Sequence, residues 1–155
     1  MHPDTWPRRI ARGLLGAFLA FAGAAHLTFA REDFRAQVPP WLPLDIDLVV
    51  VASGVVEIAL GLALLFLGRW RVPVGWIVAL FFFAVFPGNI AQFVEARDAF
   101  GLDSDLARGI RLLFQPLLVV WALWSTGAWA DWRARRRARA GDATPAASPD
   151  SHTSE

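Results

Sequence analysis

Four apolar runs, each of about 20 residues, constrain the fold of this chain more than any other feature. A helix of that length spans the ~30 Å hydrocarbon core of a bilayer, because each residue advances the helix by about 1.5 Å. The runs cover residues 11–30, 48–67, 72–94 and 110–129. Strand-like alternation is absent, and a backbone in lipid must satisfy its own hydrogen bonds. The sequence therefore predicts an all-α fold, a transmembrane antiparallel four-helix bundle.

Composition supports this prediction and excludes several classes of function. Hydrophobic residues make up 55% of the 155 residues, and a soluble domain of this length could not bury so much apolar surface. Cysteine is absent, which excludes thiolate catalysis, disulfide exchange and cysteine-ligated metals within the chain. The net charge is only +1, so nucleic acid is not expected as a partner. The lipid bilayer is the first expected partner.

The distribution of arginines predicts the orientation. The spans place ten arginines on one side of the membrane and five on the other, in or beside the first and third connections. The ten are Arg8, Arg9, Arg12, Arg69, Arg71, Arg133, Arg135, Arg136, Arg137 and Arg139. The positive-inside rule places the richer side in the cytoplasm. Both termini are then cytoplasmic, in a multi-pass protein of the bacterial inner membrane. An alternative is that the first run is a signal peptide cleaved near Ala25, which would leave three spans.

Three segments follow from these spans. Residues 1–10 form a cytoplasmic N-terminal segment, residues 11–132 the transmembrane domain, and residues 133–155 a basic and then disordered cytoplasmic tail. From about Ala140 to Glu155 the tail is rich in Ala, Pro, Ser and Asp and cannot bury enough surface to order itself. Its arginines either lie against anionic headgroups or serve only as a topology signal.

Polar side chains inside the spans are the candidate site, because a charge at the bilayer centre costs about 2.5–3.5 kcal/mol on insertion scales. The candidates for a buried polar cluster or ligand-binding site are His26, Glu57, Asn89, Arg111 and Gln115. All five are expected at mid-depth or in the outer half of the membrane. Glu57 with Arg111 is the expected charge pair, and His26 a titratable neighbour. The alternative is that these side chains only hold the bundle together by interhelical hydrogen bonds.

Small residues indicate which helix faces meet. Gly16, Ala20 and Gly23 form a row on the first span. On the second span Ser53 and Gly61 form a row with Glu57 between them, and Gly54 lies beside it. Small residues let helices approach closely in membranes, so Glu57 is expected to face the bundle. The proline-rich segment from Val38 to Pro43 cannot be helical. It is expected to be either an interfacial anchor or a lid over the outer opening.

Several motifs carry a family resemblance when taken in order. They are His26, Phe34, Val38-Pro39, Leu42-Pro43, Ser53-Gly54-x-x-Glu57-x-x-x-Gly61-x-x-Leu64, Phe86-Pro87-Gly88-Asn89-Ile90 and Arg111-x-x-x-Gln115-Pro116. Together they resemble the DoxX-like group of small bacterial four-helix membrane proteins, over about residues 9–129. The resemblance implies a link to respiratory or redox systems, and membrane oxidoreductase subunits as partners. The lack of cysteine argues against a direct thiol–disulfide role for this chain.

The sequence is compatible with three functions, and it favours an accessory subunit over a stand-alone enzyme. The first is an accessory or quinone-interacting subunit of a membrane redox system, with quinone as the candidate cofactor. The second is a non-catalytic assembly or scaffold protein. The third is a small-solute or proton pathway, for which four spans are few unless the chain forms a homo-oligomer. The sequence contains no phosphate loop, nucleophile elbow or metal-ligand spacing.

Overall fold

The computed structural model describes residues 4–95 and 105–142 of the chain, and every regular element in those ranges is helical. The helices are α1 (Trp6–Leu27), α2 (Arg31–Arg35), α3 (Ile46–Phe66), α4 (Arg71–Val94), α5 (Asp105–Ser125) and α6 (Ala128–Asp142), with a short 3-10 turn at Gly68–Trp70. Three of the described helices are long and apolar enough to cross a membrane. A fourth span results if α5 and α6, which are bent by 66° at their junction, count as one unit.

Helices cover all four predicted apolar runs, with shifted ends, and the fourth run is divided between α5 and α6. Helix α1 begins at Trp6 rather than near residue 11, because Pro7 in the first turn suits a helix start. Part of the predicted N-terminal segment is therefore helical. The same helix ends at Leu27, three residues before the predicted boundary. Helix α3 begins earlier than predicted too, since the Asp45 side chain accepts a hydrogen bond of 2.9 Å from the Leu48 amide.

Helices α1 and α3 pack most closely, through the two rows of small residues. A Cβ placed on Gly16 would lie 2.9 Å from the Gly61 carbonyl oxygen. A Cβ on Gly23 would lie 2.5 Å from the Gly54 carbonyl oxygen. Only glycine allows the two backbones to come so close. The predicted contact between the two small-residue rows is therefore present, between α1 and α3.

An apolar core joins all four long helices. Its buried members are Leu15, Leu19, Leu60, Leu64, Val74, Val78, Phe82 and Ala122. Helices α4 and α5 are further fixed at one end, where Gly75 leaves room for the buried side chain of Thr126. Large apolar side chains also cover the outside, as at Phe66, Phe83 and Leu113, which are 77%, 69% and 72% exposed. An apolar exterior of this kind suits lipid rather than water.

The basic part of the C-terminal segment is helical, and its helix ends at Asp142, just past the start of the part predicted to be disordered, near Ala140. Gly127, at a φ of 76°, ends α5, and helix α6 then runs from Ala128 to Asp142. A positive φ suits glycine because it has no Cβ, which explains the sharp bend at this residue. The arginines from Arg133 to Arg139 therefore lie on a helix. Residues 143–155 of the predicted disordered tail lie outside the described residues.

Candidate functional site

A cavity of about 860 Å³ lies among α1, α3, α4, α5 and the connection that contains α2. All five candidate residues contribute to its wall: His26, Glu57, Asn89, Arg111 and Gln115. The remaining wall is mainly apolar, with Leu19, Val50 and Phe82 among its members. The volume falls within the range of about 300–1,000 Å³ that is usual for small-molecule sites. The structure thus brings together, around one cavity, side chains that are up to 89 positions apart in sequence.

His26 and Glu57 form the most buried charged contact of the cavity. The Nδ1 atom of His26 lies 2.9 Å from Oε2 of Glu57, and the two residues are 7% and 9% exposed. Close packing of Gly23 on Gly54, three residues before each of them, positions the pair. The small residues of α1 and α3 therefore determine that a histidine and a carboxylate meet inside an apolar bundle.

A single hydrogen on Nδ1 of His26 has two acceptors within reach. Besides Glu57, the carbonyl oxygen of Ala22 lies 2.9 Å from Nδ1. Hydrogen-bond angles favour Ala22, and Oε2 of Glu57 receives no well-directed hydrogen bond from a described residue despite the short distance. The contact with Glu57 is therefore better described as a charge interaction than as a hydrogen bond. It is attractive when the imidazole is protonated and the carboxylate is ionised.

The charge pairing differs from the expected one. Sequence analysis favoured Arg111 as the partner of Glu57, whereas the described ion pair of Glu57 is with His26. The charge that acts on Arg111 comes from Asp33 of helix α2. Since Asp33 and Arg111 both line the cavity, an acid from the first connection faces a base from α5. The cavity thus contains two acid–base combinations instead of one.

Two amides connect α4 to α5. The Asn89 side chain donates from Nδ2 to Oε1 of Gln115 over 2.8 Å. Gln115 in turn donates from Nε2 to the backbone carbonyl of Phe82 over 2.6 Å. The carbonyl of a helical residue can accept this additional bond because it has two lone pairs. Gln115 is 6% exposed, so its amide is satisfied by the bundle instead of by water.

The first connection closes one side of the cavity. Phe34 stacks on the His26 ring with 3.2 Å between ring centroids and 16° between planes. Val38, Pro39, Trp41 and Leu42 also line the cavity, which is the position expected of a lid. Trp41 is nevertheless 65% exposed, as an interfacial anchor would be. This segment therefore both lines the cavity and exposes a tryptophan at its surface.

A second polar group, which sequence analysis did not identify, lies at the opposite end of the bundle. Asp4 accepts from Nη1 of Arg12 over 3.1 Å and also contacts Arg71 at 3.3 Å and Arg9 at 3.2 Å. Burial acts to raise the pKa of Asp4. The hydrogen bond and charge of Arg12, with the charges of Arg71 and Arg9, outweigh burial and lower the pKa below its ordinary value. In the sequence, the one sign of this group is that Asp4 precedes several arginines.

Metal binding has no support in the described ranges, 4–95 and 105–142. Within them no three His, Asp or Glu side chains are placed to hold a metal ion. His26, Glu57 and Asp33 all line the cavity but do not form such a group, and the other polar cavity groups include a guanidinium and amides. The donor set suits an organic ligand with hydrogen-bonding oxygens better than a cation.

Comparison with known proteins gives a family but no activity. No curated protein and no solved structure matches the chain. Residues 15–126 match a family described as a domain of unknown function, DUF8561. The match includes all five candidate cavity residues and extends over more than half of the chain. The protein therefore belongs to the DUF8561 family.

Proposed function

We propose that this protein is a DoxX-like, multi-pass membrane protein that acts as a quinone-interacting accessory subunit of a membrane redox system. The observation that carries the proposal is the cavity of about 860 Å³, where apolar walls surround His26, Glu57, Asn89, Arg111 and Gln115. A lipid-soluble quinone combines an apolar body with two carbonyl oxygens that accept hydrogen bonds. Apolar walls with a few convergent polar groups are the environment such a ligand requires.

The cavity offers donors of different kinds for the two carbonyl oxygens. Arg111 supplies a guanidinium, and the amides of Asn89 and Gln115 each retain a second N–H beyond the bonds they make within the bundle. His26 has its Nε2 atom available, because Nδ1 is directed at Ala22 and Glu57. A quinone head bound among these groups would be held by α1, α4 and α5 together.

The His26–Glu57 pair suits the proton requirement of quinone chemistry. Reduction of a quinone to a quinol consumes two electrons and two protons, and this chain has no electron carrier of its own among its side chains. The electrons would come from a partner oxidoreductase. A protonated His26 could donate one proton from Nε2 while Glu57, 2.9 Å from Nδ1, balances the charge. The second proton would come from solvent or from the partner.

The proposal includes an antiparallel four-helix arrangement in the bacterial inner membrane with cytoplasmic termini. The order of contacts supports it, since early Gly16 meets late Gly61 and late Gly23 meets early Gly54. The arginine distribution supports the orientation, because ten of the fifteen arginines fall on the proposed cytoplasmic side. In this orientation the cavity opens toward the outer half of the membrane.

Photolabelling tests the proposed ligand. The protein in lipid nanodiscs would be illuminated with an azido-quinone and digested, and the labelled positions would be identified by mass spectrometry. Labelling should concentrate on cavity residues such as Phe18 and Phe114 and should be displaced by excess unlabelled quinone. Exposed outer residues such as Leu80 and Phe83 serve as the internal control. Equal labelling of the outer surface, without displacement, would contradict quinone binding at this site.

A scaffold function is the second candidate, and one observation favours it. The Asn89–Gln115–Phe82 hydrogen bonds connect two helices without requiring any ligand. A scaffold whose polar groups only stabilise the bundle would keep its partner proteins without binding quinone. Affinity purification from the native membrane separates the two functions, since a scaffold predicts a stoichiometric partner with no displaceable quinone labelling.

A further inference from the structure

Helix α6 presents two different faces, which are defined by helical spacing. Residues Trp129, Trp132, Arg133 and Arg136 follow the i, i+3, i+4, i+7 pattern and form one face, here called the Trp–Arg face. The opposite face begins with Ala128, Ala130 and Asp131, which pack toward the body of the protein and are buried or largely buried. The acidic side chain is thus directed away from the Trp–Arg face, where the tryptophans are exposed.

The Trp–Arg face has the composition of a membrane-interface contact. Trp129 and Trp132 are 46% and 43% exposed, and indole rings favour the headgroup level of a bilayer. The guanidinium of Arg136 lies 5.0 Å from the ring centroid of Trp132, so an aromatic ring and a cation form one surface. Helix α6 contains five arginines against two aspartates, an excess of positive charge that complements anionic headgroups.

The direction of α6 is fixed by buried residues. The bend of 66° after α5 turns α6 well away from the axis of the preceding helix. Ser125, Thr126 and Ala128 are fully buried at the bend, and Thr126 donates from Oγ1 to the Ala122 carbonyl over 2.6 Å. If α5 crosses the membrane, a helix at this angle lies closer to the membrane plane than to its normal. In that case the bend would keep α6 at the level of the headgroups.

From these observations we infer that α6 is an interfacial helix whose Trp–Arg face binds the anionic phospholipid headgroups of the membrane that the protein occupies. The inference does not depend on what the cavity binds. It assigns Arg133 and Arg136 to lipid contact, beyond a role in setting topology. Nucleic acid is the other polyanion that a basic helix could bind, but the exposed tryptophans beside the arginines favour the lipid interface.

The absence of cysteine makes a site-specific test possible in the full chain. Ala140 continues the Trp–Arg face, whereas Ala138 lies on the opposite face, and both are exposed. The variants Ala140→Cys and Ala138→Cys would carry a nitroxide label in nanodiscs of phosphatidylcholine, with or without phosphatidylglycerol. Collision of each label with oxygen, which partitions into lipid, and with a water-soluble nickel chelate would be measured by power-saturation EPR.

The inference predicts an asymmetry that depends on lipid charge. In phosphatidylglycerol nanodiscs the label at position 140 should be shielded from nickel and accessible to oxygen, while the label at 138 remains accessible to nickel. The asymmetry should decrease in phosphatidylcholine alone and be lost in an Arg133→Gln, Arg136→Gln variant. Equal nickel accessibility at both positions in either lipid would overturn the inference. Shielding of position 140 that requires added RNA would overturn it too. Photolabelling by quinone should be unchanged throughout, so the two proposals can fail separately.

Discussion

The imidazole of His26 and the carboxylate of Glu57 meet at 2.9 Å between two helices whose own backbones touch three residues away. This arrangement links the packing of α1 and α3 to the chemistry of the cavity. A change in either glycine of the Gly23–Gly54 contact would alter the distance between the histidine and the acid.

The His26–Glu57 pair should show energetic coupling. Replacing Glu57→Gln keeps the size of the side chain but removes the charge, and His26→Asn removes the imidazole. Each single variant should lower the free energy of unfolding in detergent, and the double variant should lose less than the sum of the two. A coupling of roughly 0.5–3 kcal/mol is expected for groups in direct contact. Additive effects would show that the two side chains do not interact.

A half-exposed ion pair, which joins Asp47 of the same helix to Arg31 of α2, provides the control for this cycle. Asp47 contacts Arg31 at 3.3 Å, with both side chains 42% exposed. Exposed pairs contribute only about 0–1 kcal/mol because solvent screens them. Asp47→Asn should therefore have a smaller effect than Glu57→Gln. A larger effect at Asp47 would contradict the central position given to the buried pair.

Substitution of Gly23 by alanine should separate α1 from α3. The new Cβ would lie 2.5 Å from the Gly54 carbonyl oxygen and 2.9 Å from the Ile58 amide nitrogen, and neither backbone atom can move alone. Overpacking of this kind costs about 1–3 kcal/mol, measurable as a lower unfolding temperature. Gly13→Ala is the matched control, since nothing lies within 4 Å of its Cβ. That variant should be neutral or up to about 1 kcal/mol more stable, because alanine favours helix.

Gln115→Leu should lower the free energy of unfolding by more than the loss of its two hydrogen bonds alone would. The change leaves the part-buried Asn89 amide without its partner in the bundle, and an unsatisfied amide costs up to about 1–3 kcal/mol when fully buried. Adding Asn89→Leu removes that stranded group, so the double variant should recover part of the lost stability. Unfolding by detergent titration would measure both. A double variant less stable than Gln115→Leu would argue against the described amide pair.

The ion pairs around Asp4 predict that stability depends on pH, with a definite sign. The arginines around Asp4 lower its pKa in the folded protein below the ordinary value of 3.8. The stabilisation is therefore fully present above that value and is lost as the pH falls through the lower, folded-state pKa. Asp4→Asn should unfold at a lower temperature than the parent at pH 7, and the difference should shrink as the pH falls below about 4. A difference independent of pH would contradict the ion pairs.

Helix positions and the small-residue contact were predictable from sequence, because both follow from local patterns. Runs of apolar residues predict spans, and the spacing of Gly16, Gly23, Gly54 and Gly61 predicts which faces meet. The five cavity residues were selected because polar groups are costly in lipid, a criterion that does not require knowledge of packing. That criterion identified residues which the fold then placed around one cavity.

Neither the charge partner of Glu57 nor the bend between α5 and α6 could be predicted in the same way. Whether Glu57 meets His26 or Arg111 depends on helix rotation to within a fraction of a turn, which the polar pattern alone does not determine. The acid opposite Arg111 comes from α2, a five-residue helix too short to give a periodic signal. The bend before α6 depends on the φ angle of a single residue, Gly127. The ion pairs of Asp4 could not be predicted because its arginine partners lie on two different helices.

Native mass spectrometry of the protein, extracted gently from its own membrane at natural abundance, tests the proposed function most directly. The account predicts a bound quinone in the parent protein that is lost in Glu57→Gln and retained in Asp47→Asn. A stoichiometric oxidoreductase partner in the same spectra would identify the source of electrons. A parent protein that carries only ordinary phospholipids, with no quinone and no redox partner, would contradict the account.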